Sequence, residues 1–64
     1  MIPDTHKYLG KNYKEVVETL TKKYPELNIH GVATTSFVTA DYRTDRYRVW
    51  YDPKTLLVTE IVNG

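Results

Sequence analysis

The 64 residues contain no cysteine. A chain of this length buries only about 60% of the surface its unfolded form exposes, and small domains commonly lean on disulfides or a metal for that reason. Here a disulfide framework, a thiolate zinc site, an iron–sulfur cluster and a Cys nucleophile are all excluded together. His6 and His30 stand too far apart for a zinc knuckle, so neither metal nor cofactor is expected. Packing of regular elements has to hold the fold. Six Tyr, one Trp and one Phe supply large apolar surfaces for it.

The composition is that of a globular protein, with 41% hydrophobic and 27% charged residues. Nine Lys and Arg against eight Asp and Glu leave a formal charge of +1. No bulk field therefore favours nucleic acid or a membrane surface as a partner. No apolar run approaches the ~20 residues that span a bilayer, and no leader is read at the start. A deep catalytic pocket is not expected in so small a mass. No Ser, His and Asp arrangement stands out, so no enzyme activity is expected.

Met1 to Lys11 reads as irregular or briefly extended, punctuated by Pro3 and Gly10. Asn12 followed by Glu15 is an Asn variant of the capping box. Tyr13, Val16, Val17, Leu20 and Tyr24 then recur at helical spacing. Lys22 and Lys23 favour the negative end of the dipole, and Pro25 stops the run. The pattern predicts a helix over Asn12 to Tyr24. Leu27 to Val32 reads as a strand in which Gly31 leaves a gap or admits another group. Ala33 to Asp41 is rich in β-branched residues and lacks Gly and Pro, so it is expected to be stiff and extended, not a tight turn. Arg46 to Tyr51 alternates as a strand, Asp52-Pro53-Lys54 signals a turn, and Leu56 to Val62 is the last extended stretch. The expected architecture is α+β: a single helix packed on a small mixed sheet of three or four strands, residues 1–64 forming one domain. The dozen or so residues between the first two strands are about the minimum crossover if those flanking strands are parallel.

All three arginines fall between Arg43 and Arg48, with Asp41 and Asp45 interleaved. Arg46 and Arg48 share one strand face and could point together at the preceding segment, bonding Asp41 and Thr39. Two other readings stand beside this one. The charges could be an ordinary solvated strand face, or an RNA patch with Tyr42, Tyr47 and Trp50 for stacking, which the aspartates and the neutral total disfavour. Trp50 is either core or under that segment. His30 reads as a partly exposed strand residue.

Val38-Thr39-Ala40-Asp41-Tyr42-Arg43-Thr44-Asp45-Arg46-Tyr47-Arg48 resembles the reactive-site loop and following strand of the potato inhibitor I family of serine-protease inhibitors. Val-Thr, a variable residue, an acid, an aromatic or Leu, Arg, any residue, Asp or Asn, then Arg-x-Arg is the family's pattern. Leu9-Gly10-Lys11, Pro25-Glu26 and Gly64 match it as well, so the resemblance runs the length of the chain. Thr5, Gly31, Ala33, Thr35, Ile61 and Asn63 depart from the usual residues.

The resemblance implies a substrate-like inhibitor with a scissile bond at Ala40–Asp41. Ala40 would be the P1 residue, Val38 and Thr39 would take P3 and P2, and Asp41 and Tyr42 would take P1′ and P2′. Arg46 and Arg48 would hold Thr39 and Asp41 from below, with Arg43 supporting the loop and Gly64 close to the arginines. The implied partner is a serine protease with a small or permissive specificity pocket, elastase-like or subtilisin-like, bound by a monomer. The alternative is a designed or redesigned sequence of the same fold that inhibits weakly or not at all.

Overall fold

The computed structural model describes Ile2, residues 4–37 and residues 43–64. A short 3-10 helix (Thr5–Tyr8) precedes one α-helix, α1 (Tyr13–Lys23). Three strands follow: β1 (Asn28–Ala33), β2 (Arg46–Tyr51) and β3 (Val58–Asn63). They form one mixed sheet in the order β1-β2-β3, with β1 parallel to β2 and β2 antiparallel to β3.

The helix begins where its cap chemistry says it should. The Asn12 side chain accepts a hydrogen bond from the Lys14 N–H at 2.9 Å, and the Asn12 carbonyl accepts from Val16 N–H at 3.1 Å. At the other end Tyr24 donates to Leu20 at 2.8 Å and leaves the helical region before Pro25. An exposed Glu18–Lys22 pair at 3.1 Å adds one i,i+4 contact.

The helical stripe covers one face of the sheet. Val16 and Leu20 are buried with Tyr47, Val49 and Val58, and Ile2 and Tyr8 close the same core from the N-terminal segment. Tyr13, Val17 and Tyr24 pack at its edge. The buried Ile2 N–H donates to the Tyr47 hydroxyl at 3.1 Å, which gives that core tyrosine a polar partner.

Three expectations change. The segment before Gly10 is partly helical, through Thr5–Tyr8, and its Tyr8 is a core residue. Ala33 to Ser36 is a turn, closed by Ser36 N–H to the Ala33 carbonyl at 2.9 Å. It needs no Gly or Pro, because the commonest turn accepts most residues. The last strand starts at Val58, not Leu56. Leu56 has φ 63 and donates to the Asp52 carbonyl at 2.7 Å, so it belongs to the preceding turn. That turn opens on an Asx bond, Lys54 N–H to Asp52 Oδ1 at 2.8 Å. Among the described residues a fourth strand is present only as a bridge between Asn12 and Leu57, flanked by Gly10–Val58 and Lys11–Val58 bonds of 2.8 Å.

Gly31 admits a neighbouring group, one of its two expected roles. A Cβ there would lie 2.8 Å from Tyr13 Cδ2, with Val17 also in contact. The Tyr13 ring is also packed against Tyr51. The two rings stack with centroids 3.7 Å apart and planes within 6°.

Candidate functional site

Strand alternation sorts β2 into two faces. Tyr47 and Val49 are buried under the helix, while Arg46, Arg48 and Trp50 are half-buried on the opposite face. The register places Asn28, His30 and Val32 of β1 beside those three in turn. Val62 and Glu60 of β3 lie beside Arg48 and Trp50. This second face therefore carries two guanidinium groups in line, and Trp50 lies on it, outside the helix-covered core. His30 is exposed, as its strand position suggested.

The segment bounded by Phe37 and Arg43 connects the two parallel strands. Its upstream stem is pinned by Thr34 N–H to the Tyr51 carbonyl at 2.9 Å and by the Ala33–Ser36 turn. Its downstream stem is tied from three directions. Arg46 N–H reaches back to the Arg43 carbonyl at 3.3 Å. Asn28 of β1 donates from its side chain to Asp45 Oδ2 at 3.0 Å and from its backbone to the Asp45 carbonyl at 2.8 Å. Asn63 of β3 donates from Nδ2 to the carbonyls of Thr44 and Arg46, both at 3.0 Å.

Arg46 and Gly64 are joined twice. Gly64 N–H donates to the Arg46 carbonyl at 2.7 Å, and Arg46 Nε donates to the Gly64 carbonyl at 3.3 Å. Gly64 is buried with φ 126, a backbone conformation that a side chain would strain. Arg43 is exposed at the downstream stem. Val38, Thr39, Ala40, Asp41 and Tyr42, the residues expected to meet a protease, lie outside the described residues.

Asn28 and Asn63 drew no functional expectation from the sequence, although both tie down the downstream stem. No local pattern could have marked them, since their partners are 17 to 19 residues away. Asp45 was visible as one of the interleaved acids, but it accepts from Asn28. Phe37 was also passed over, and it is fully exposed at the upstream stem.

Among the described residues no group of three His, Cys, Asp or Glu side chains could hold a metal ion. A pocket of about 140 Å³ lies between the 3-10 helix and α1, lined by Tyr8, Lys11, Glu15, Val16 and Thr19. That is below the ~300 Å³ at which small-molecule sites begin. The chemistry available at the arginine face is accordingly that of a brace. Among the described residues the Asn28 and Asn63 side chains tie the downstream stem to the outer strands, and the Arg46 guanidinium bonds the Gly64 carbonyl.

Comparison with known proteins agrees with this arrangement. The family model of the potato inhibitor I family matches residues 8–61. Eglin C from Hirudo medicinalis is 34% identical over 53 residues, covering 83% of this chain and 76% of the leech protein. The crystal structure of bitter gourd trypsin inhibitor shares the fold, with a TM-score of 0.78 at 22% identity over 91% of this chain and 85% of that one. The chain therefore belongs to the potato inhibitor I family and is, in class, a serine-protease inhibitor and not an enzyme.

Proposed function

We propose that residues 1–64 act as one monomeric, substrate-like inhibitory unit whose reactive bond is Ala40–Asp41. The observation that carries this reading is the fixing of both stems. Upstream, Thr34 is bonded to Tyr51 of β2. Downstream, Asp45, Thr44 and Arg46 are bonded to Asn28 and Asn63 of the outer strands. A connection whose two ends are held loses less freedom when it enters a protease cleft, so more of its contact energy appears as affinity. The contact residues would be Val38, Thr39, Ala40, Asp41, Tyr42 and Arg43, laid along the cleft as an added strand. Arg46 and Arg48 would brace Thr39 and Asp41 from the sheet, with Gly64 fixing Arg46 in turn. After attack on the Ala40 carbonyl, a held segment keeps the new amine beside the acyl-enzyme, and resealing competes with hydrolysis.

Ala40 sets the target class. A methyl side chain suits the small slot of an elastase or the permissive pocket of a subtilisin. It leaves the buried acid of a trypsin pocket without a partner. The bitter gourd protein is named for trypsin; this chain is directed elsewhere. Titration of subtilisin, pancreatic elastase and trypsin tests the reading. Stoichiometric inhibition at nanomolar concentration is expected for at least one of the first two, with trypsin affected least. Absence of inhibition of all three at micromolar concentration would contradict it and leave a family fold that does not inhibit.

A further inference from the structure

Phe37 has no place in the core. Its exposure is 103% of the reference value, whereas Leu9, Leu56, Leu57 and Val62, the other exposed large apolar residues, lie between 36% and 40%. Single exposed apolar residues are common on folded proteins. Complete exposure of a Phe at the end of a pinned stem is a different case. The two residues before it are fixed by the Ala33–Ser36 turn, and Thr34 is bonded to β2. The ring is thus presented on an ordered base.

Phe37 stands three residues before Ala40 in sequence. In an extended chain that separation is about 10 Å. Ala40 offers a protease one methyl group, which is little surface for the central position of an interface. Interface energy concentrates in buried aromatic anchors, and Phe37 is the aromatic available on the upstream side.

We propose that Phe37, and not Ala40, is the principal side-chain anchor on the protease. The partner is then a serine protease with an open apolar pocket about 10 Å upstream of the one that receives the scissile-bond residue. This rests on Ala40–Asp41 being the reactive bond.

Inhibition constants for the unaltered chain, Phe37→Ala and Phe37→Leu against subtilisin and pancreatic elastase test it, with thermal melts alongside. Because the ring is fully exposed, the melting temperature is expected to stay the same in both variants. Against the more tightly inhibited protease, Phe37→Ala is expected to weaken inhibition ~100-fold, the scale of an aromatic hot spot, and Phe37→Leu to recover to within ~10-fold of the unaltered chain. A loss below tenfold for Phe37→Ala, with the unaltered chain still inhibiting, overturns the anchor while leaving the reactive bond standing. Failure of Phe37→Leu to improve on Phe37→Ala overturns the apolar pocket. Failure of the unaltered chain to inhibit either protease overturns the inhibitory reading itself, and the anchor with it.

Discussion

At Gly31 an added Cβ would meet Tyr13 Cδ2 at 2.8 Å and Cε2 at 3.0 Å. The ring cannot swing aside freely, because it is stacked on Tyr51 with centroids 3.7 Å apart. Gly31→Ala is therefore expected to destabilise the fold by ~1–3 kcal/mol, the cost of overpacking, measured by urea denaturation. The same substitution in a Tyr13→Ala background should cost much less, since the clashing ring is gone, and a double-mutant cycle would show the coupling. The tyrosine pair also has a pH signature. The Tyr51 hydroxyl is raised above the ordinary tyrosine value of 10.0, first by its hydrogen bond with Tyr13, then by burial and by the charge of a deprotonated Tyr13. A group whose pKa is raised on folding contributes stability that is complete below its unfolded value and is lost as pH climbs through its folded value. Stability should thus hold up to about pH 10 and decline above it. Absorbance near 295 nm should show Tyr51 titrating above that ordinary value, and Tyr13→Phe should remove most of the shift.

Elements whose ends are set by local chemistry were the ones legible in the sequence. Asn12 and Pro25 bracket α1 within a residue at each end, because a side-chain cap and a proline act on their immediate neighbours. Asn12→Ala should accordingly cost ~0.5–2 kcal/mol, the range for losing such a cap, and Asn12→Ser should restore most of it in thermal melts. The alternation from Arg46 to Tyr51 likewise marked β2 and its two faces in full. The 3-10 helix at Thr5–Tyr8 was illegible because one turn has no apolar period to read. The Ala33–Ser36 turn escaped because β-branched residues lower the odds of a turn without forbidding one. Asn28 and Asn63 hold the downstream stem through partners distant in sequence, and such contacts exist only after the sheet has formed.

Over the whole molecule the two faces of one sheet do separate work. The helix face buries Val16, Leu20, Tyr47, Val49 and Val58, and so stabilises a chain that has no disulfide to help it. The opposite face carries Arg46, Arg48 and Trp50 half-buried beside the stems of the connecting segment. On the proposed function, the first face supplies the rigidity that the second one transmits to the Ala40–Asp41 bond. Arg46 ties the second face to the end of the chain, through its paired bonds with Gly64 and the Asn63 bond to its carbonyl. Arg46→Ala removes a charged donor worth ~1.5–3 kcal/mol, hence ~10- to 100-fold in an equilibrium constant. The decisive measurement is the inhibition constant of Arg46→Ala against the protease inhibited most tightly, together with its rate of cleavage at Ala40–Asp41 by mass spectrometry. The account predicts weaker inhibition and faster cleavage by factors in that range, an inhibitor moving toward a substrate. An inhibition constant and a cleavage rate both unchanged from the unaltered chain would contradict it.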